Sequence, residues 1–269
     1  MSLLREHLGL PGKKLIGERL RALAARPNPR PLFVFGNQKS GTTAIAGLLA
    51  AATQRRATLD FAGATEPHIG RLLRRETPLA DFVRHNSWAF SAQIVKEPNL
   101  TFAAPQLMEH FAAPRAVFIV RDPRDNIRSI LDRLELPGDL ESLDVESVRA
   151  NRTWRSLLAG RDLGLAEDHY IATLAWRWLR AIEILQSAHA RFVLLRYEDF
   201  KVDRPGAIAQ LAEELELDAT RDIGALEQHS FQRPGTPRPA REFFGRKNLG
   251  RIESICGTAA AALGYSATG

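Results

Sequence analysis

The chain has 269 residues, 45% of them hydrophobic and 25% charged, a balance that excludes a disordered polymer or a polytopic membrane protein. Its 37 Lys and Arg against 31 Asp and Glu leave a net charge of +6, which points to an anionic partner. A single cysteine, Cys256, excludes an intrachain disulfide and a cysteine-based zinc cluster.

The length suits one α/β domain, expected over 1–269. No run approaches the roughly eighteen apolar residues of a membrane span. Arg5, Glu6 and His7 interrupt the first apolar stretch, so neither a transmembrane segment nor a secretory leader is expected, and the cytoplasm is the predicted location. Aromatic residues are only 7% and the arginines are scattered, which favours a small polyanionic ligand over nucleic acid.

In chain order, residues 1–30 form a helical lead-in, with Ile16, Leu20 and Leu23 on one face over 13–26 before Pro27 and Pro29 end the helix. Leu32 to Phe35 then reads as a buried strand opening into GNQKSGTT, and Thr42 to Ala52 as the helix that follows. Further short strands are predicted at Gln93 to Val95, Ala116 to Val120 and Phe192 to Leu195. The clearest helix runs from Asp168 to His189, with Ile171, Leu174, Trp178, Ile182 and Leu185 along one stripe. Strands apolar on both alternations, separated by helices, predict an α/β fold with a parallel sheet flanked by helices on both faces. Ligands in such sheets collect at the carboxyl ends of the strands. Two segments break the pattern and are expected as excursions over the site. One is 134–165, which follows the Pro137-Gly138 turn; the other is 232–247, opening with the extended strap QRPGTPRPAR.

A glycine turn between strand and helix aims several backbone N–H groups at one point, where the helix dipole favours an anion. In the nucleotide-hydrolysing form of this loop, GxxxxGK[ST], a lysine follows the second glycine. Aligning Gly36 and Gly41 puts Thr42 at that position, and the lysine lies inside the loop as Lys39. The plainer alternative is a glycine turn that only caps a helix.

The second motif is RAVFIVRDPRDNIRS, 115–129. An apolar strand ends in Arg121, Asp122 suits an N-cap and Pro123 the first helical turn. A guanidinium at the carboxyl end of a buried strand suits a phosphate, and Ser129 lies two turns further on. The alternative is a solvated cluster of Arg121, Asp122, Arg124 and Asp125.

These residues resemble the sulfotransferases that use 3'-phosphoadenosine-5'-phosphosulfate (PAPS). Their loop reads approximately PKSGTT, and this chain has QKSGTT at 38–43. The resemblance implies a P-loop-type fold in which the backbone of Ser40, Gly41, Thr42 and Thr43 binds the 5'-phosphate. It implies that Lys39 stabilises the bridging oxygen as it leaves, with no metal required. Arg121 and Ser129 match the pair that binds the 3'-phosphate. LLRYEDF at 194–200 matches a late family motif, placing Tyr197 near the adenine or as a buried structural tyrosine. REFFGRKNLGR at 241–251 is similar to a basic segment over the nucleotide, making Arg246 and Lys247 candidates for the 3'-phosphate; whether 232–247 closes over the donor stays open. The departures are Gln38, Ala44 and Asn248, where the family more often has proline, an aromatic and glycine.

The general base is the open position. Where cytosolic members have Lys-Thr-His, this chain has Lys96-Glu97-Pro98, so Lys96 is left to contact the sulfuryl oxygens. By analogy with the carbohydrate-modifying branch, Glu66 in ATEPH is the candidate base, its pKa expected to rise in a partly dry pocket. Glu97 and His68 compete with it, and Glu66 also reads as an ordinary helix-start carboxylate. The implied activity is transfer of a sulfuryl group from PAPS to a hydroxyl of a small molecule, glycan or lipid, releasing 3',5'-bisphosphoadenosine. A P-loop small-molecule kinase and a non-catalytic nucleotide-binding relative are the alternatives, and a homo-oligomer is an option the sequence leaves open.

Overall fold

The computed structural model describes residues 25–113, 115–226 and 238–266. The expected lead-in helix up to residue 24, and residues 232–237 of the strap, lie outside the described residues. Five parallel strands form one sheet: β1 (Leu32–Gly36), β2 (Ala57–Thr58), β3 (Ile94–Lys96), β4 (Ala116–Val120) and β5 (Phe192–Arg196), in the order β2-β3-β1-β4-β5. The helices among the described residues are α1 (Thr42–Ala52), α2 (His68–Leu73), α3 (Leu79–His85), α4 (Ser87–Phe90), α5 (Ala104–His110) and α6 (Pro123–Arg133). They continue with α7 (Arg152–Leu158), α8 (Tyr170–Ser187), α9 (Tyr197–Val202), α10 (Arg204–Glu214) and α11 (Ala240–Ala262).

Strand alternation divides the apolar side chains between two cores. Phe33 and Phe35 of β1, Phe118 of β4 and Phe192 of β5 point to one face, against Leu107 of α5, Ile127 and Ile130 of α6, and Leu174 and Trp178 of α8. Val34, Ile94, Val117 and Val193 point to the other, against Ile45, Leu48 and Leu49 of α1 and Ile208 and Leu211 of α10. This is the two-sided burial read from the strands.

The predicted boundaries of α1 and β4 coincide with the observed ones. Strand β3 runs one residue later than expected, which takes Lys96 into the sheet. Helix α8 is slightly shorter than its periodicity suggested, and His169 caps it by accepting from the Ile171 N–H at 3.2 Å. Strand β2 is two residues long and was not placed from sequence. Its register is fixed by pairing Thr58 with Val95, and the Thr58 hydroxyl donates to the Ala89 carbonyl at 2.8 Å.

The chain leaves β1 for β2 and β3 on one side, then crosses to β4 and β5 on the other. The topological switch therefore lies at β1, and its crevice opens where β1 and β4 end. Gly36 and Arg121 stand at those two ends. The 134–165 excursion is tied back at Pro137, whose carbonyl accepts from the Tyr170 hydroxyl at 3.0 Å. It is tied again at Gly138 and Leu140, whose carbonyls accept from the buried Asn248 amide at 2.8 and 3.0 Å.

Candidate anion-binding and transfer site

The loop between β1 and α1 has the geometry of an anion cradle. Gly36 has φ 146°, and a Cβ there would lie 2.6 Å from the Ile119 carbonyl oxygen; Gly41 has φ 87°, and a Cβ there would lie 2.3 Å from Cδ2 of the Tyr197 ring. Both positions need glycine. The first-turn amides of α1, including Thr42 and Thr43, have no intrahelical acceptor and face the loop's concavity with the positive end of the helix dipole. Beneath the loop, the buried Asn126 of α6 accepts from Asn37 Nδ2 at 2.9 Å. It donates to the Gln38 carbonyl at 2.8 Å and to Ser40 Oγ at 3.0 Å.

Lys39 adopts a left-handed backbone with φ 67°, a conformation that needs support from its surroundings. That support comes from Arg121, whose Nη1 donates to the Lys39 carbonyl at 2.7 Å. The Arg121 guanidinium also stacks over the Tyr197 ring at 4.6 Å, and its backbone carbonyl accepts from Trp178 Nε1 at 2.9 Å. Arg121 Nε is buried and makes no hydrogen bond among the described residues. A buried guanidinium N–H left over beside a cradle of backbone amides fits a phosphate-like anion. Burial lowers the Lys39 pKa to about 8, with the charges of Arg121 and Arg133 adding to the effect and Asp132 opposing it.

The rest of the 121–129 motif divides by role. Asp122 caps α6 by accepting the Arg124 N–H at 2.8 Å, and the buried Arg124 side chain bonds Asp122 bidentately and Glu253 at 2.9 Å. Asp125 pairs with Arg128 at 2.7 Å. Of these pairs only Arg124–Glu253 ties α6 to another element, α11, whereas Arg121 turns to the loop. Ser129 is half-buried in the second turn of α6.

At the end of β3, Lys96 is 1% exposed and its Nζ lies 2.6 Å from Oδ1 of Asp60, a side chain 45% exposed two residues past β2. Sequence reasoning missed Asp60. Glu97 is buried beside this pair; its Oε1 accepts from the Asn99 N–H and from Asn99 Nδ2, both at 3.1 Å. Burial, with the charge of Asp60, pushes the Glu97 carboxyl well above the usual carboxylate range. Asn99 Oδ1 accepts from Gln38 Nε2 at 2.5 Å, and Gln38 Oε1 accepts from Arg177 Nε at 3.1 Å. Arg177 in turn pairs with Asp162 at 2.5 Å, both of them buried. Where the resembling family more often has proline, Gln38 thus ties the loop to the segment after β3, to α8 and to the excursion through a buried polar network.

Glu66 accepts from the Ser156 hydroxyl at 3.0 Å, and its N–H donates to Thr153 Oγ1 at 3.0 Å. The structure therefore places it against α7. His68 is exposed at the start of α2. Lys247 pairs at 2.8 Å with Glu141, both mostly exposed, and Arg246 is exposed beside it, just after α11 bends at Gly245. In the 197–199 motif, Glu198 accepts from the Asp122 N–H at 3.1 Å and from the Tyr265 hydroxyl at 2.9 Å. The YED and LGY segments are thereby joined at the root of α6.

A strand, a glycine loop and a helix at the switch point of a parallel sheet, flanked by a strand-end arginine, define an α/β fold of the phosphate-loop type. Within that class, the family model described as "Sulfotransferase domain" matches residues 29–233. The chain belongs to the sulfotransferase family. Among solved structures, sulfotransferase STF9 from Mycobacterium avium is similar at 16% identity and TM-score 0.53, over 92% of this chain and 80% of that one. Sulfotransferase STF1 from Mycobacterium tuberculosis H37Rv is similar at 16% identity and TM-score 0.50, over 90% and 80%. These likenesses establish the fold. No curated protein sequence matches the chain significantly. Among the described residues, no helix is long and apolar enough to cross a membrane.

Proposed function

We propose that the chain moves a sulfuryl group from PAPS to a hydroxyl of a small molecule, glycan or lipid by in-line displacement. The observation that carries this reading is the meeting of Lys39 and Arg121 at the ends of β1 and β4, with an unpartnered guanidinium N–H beside the amide cradle. In this reading the amides of Ser40, Gly41, Thr42 and Thr43 take the 5'-phosphate. Arg121 and Ser129 take the 3'-phosphate, and Tyr197, stacked beneath Arg121, supports that contact. Arg246 and Lys247, on the exposed segment after Gly245, enter only as outer contacts.

Chemistry of this kind depends on positioning and charge stabilisation. The acceptor oxygen forms a bond to sulfur while the sulfur to bridging-oxygen bond breaks. The electron pair goes to the bridging oxygen, where the Lys39 ammonium stabilises it, and a base takes the hydroxyl proton. Asp60 is the candidate base: it follows β2 at the carboxyl end of the parallel sheet, the end at which the cradle follows β1, and its side chain is 45% exposed although Lys96 pairs with it. Glu97 is enclosed by Asn99, and Glu66 is occupied by Ser156.

The test is transfer of label from PAPS to fractionated metabolites and glycans, with purified wild type and three carboxylate variants. Asp60→Asn is expected to lower kcat by about 10²–10⁴ while affinity for 3',5'-bisphosphoadenosine holds within about twofold. A loss of that size in Glu66→Gln or Glu97→Gln instead would reassign the base. Absence of label from every fraction would reject the transferase reading.

A further inference from the structure

We infer that Glu198 is a positioning residue for the donor's 3'-phosphate, acting through Arg121, and that the C-terminal segment holds it in place through Tyr265. This rests on the PAPS reading above.

The pairing of β4 with β5 ends at Val120, opposite Arg196. The peptide group between Arg121 and Asp122 therefore leaves the sheet, and its C=O and N–H need other partners. Each finds a side chain. Trp178 Nε1 of α8 donates to the Arg121 carbonyl at 2.9 Å, and the Asp122 N–H donates to Oε1 of Glu198 in α9 at 3.1 Å. A planar peptide group held at both polar atoms is fixed in rotation, and with it the direction in which the Arg121 side chain leaves the strand.

The same short helix grips that side chain. Tyr197, immediately before Glu198, lies beneath the Arg121 guanidinium at 4.6 Å and against Gly41, where a Cβ would come 2.3 Å from the ring. Adjacent residues of α9 thus hold the backbone and the guanidinium of an arginine whose Nη1 meets the Lys39 carbonyl at 2.7 Å. The second oxygen of Glu198, Oε2, accepts from the Tyr265 hydroxyl at 2.9 Å. Tyr265 stands three residues past α11 and is 5% exposed, with its ring 4.6 Å from the Arg196 guanidinium carbon. It reaches this position because Gly264, at φ 79°, turns the chain out of the helix, and the Tyr265 N–H closes the turn on the Ala260 carbonyl at 3.0 Å. One carboxylate therefore divides its two oxygens between the turn that aims Arg121 and the end of the chain.

The experiment is equilibrium binding of 3',5'-bisphosphoadenosine and 5'-AMP to wild type, Glu198→Ala, Glu198→Gln and Tyr265→Phe, with thermal melts to establish folding. Glutamine keeps an acceptor for the Asp122 N–H and can donate to the Tyr265 oxygen, while phenylalanine keeps the ring beside Arg196 and loses only the hydroxyl. Glu198→Ala is expected to weaken the bisphosphate about 3- to 10-fold and Tyr265→Phe about 2- to 5-fold, each with a smaller loss for 5'-AMP. Glu198→Gln is expected to stay within about twofold of wild type on both ligands, since the acceptor and not the charge sets the turn. An unchanged ratio of bisphosphate to 5'-AMP affinity in folded Glu198→Ala or in Tyr265→Phe, or a Glu198→Gln no better than Glu198→Ala, would overturn the inference. If Glu198→Ala does not fold, the ratio in Tyr265→Phe decides. If wild type itself binds the bisphosphate no tighter than 5'-AMP, the donor reading falls, and this inference falls with it.

Discussion

Lys39 combines two demands that conflict. In the proposed reaction it must be charged to stabilise a leaving oxygen, and burial beside Arg121 and Arg133 lowers its pKa to about 8. Because the ammonium is the working form, raising the pH through that value removes it. The expected result is a kcat/KM that is level below pH 8 and declines above it, a profile that reports the free enzyme. Lys39→Arg, charged at all accessible pH, should have low activity but lose that decline. A wild-type profile still level at about pH 10 would show that another group carries the role. Lys39 and Arg121 were legible because each sits in a contiguous strand-turn-helix sequence that dictates its surroundings. Asp60 was not, because its meaning comes from a partner far off in the chain: Lys96 lies 36 positions from it. Glu66 was legible as a carboxylate near a helix start, but its engagement by Ser156 depends on α7 folding back across 90 positions.

At the scale of elements, the first two motifs were readable to the residue where turn chemistry is local: Thr42 opening α1, and Asp122 with Pro123 opening α6. The strands buried on both faces declared themselves by unbroken apolar runs. Strand β2 did not, since Ala57 and Thr58 carry no such pattern and are drawn into the sheet by β3. The support beneath the loop was equally hidden. Asn126 looks like an ordinary polar helix residue, yet it is fully buried and makes three hydrogen bonds to the 37–40 loop. Its replacement by alanine leaves the Gln38 carbonyl and Asn37 amide without their partner, at a cost of about 1–3 kcal/mol. The expected outcome is a melting temperature lower by several degrees and a larger fractional loss in donor affinity than in acceptor KM. Equal losses on both substrates would mean that Asn126 supports the fold and has no particular hold on the loop.

For the whole molecule, sheet order assembles the candidate site. Placing β1 between β3 and β4 brings two strand ends together that are about eighty positions apart in sequence, and the cradle and the strand-end guanidinium meet there as one site. The net charge of +6 supplies a long-range field suited to a polyanionic donor. The most direct measurement is equilibrium binding of 3',5'-bisphosphoadenosine, 5'-AMP and magnesium-ATP to wild type and Arg121→Ala. The account predicts that the bisphosphate binds tightest without magnesium, and that Arg121→Ala weakens it by about 2–5 kcal/mol and weakens 5'-AMP less, through the lost hydrogen bond to the Lys39 carbonyl of the loop alone. Magnesium-ATP binding as well as or better than the bisphosphate, or an Arg121→Ala variant that still prefers the bisphosphate over 5'-AMP as strongly as wild type, would contradict it.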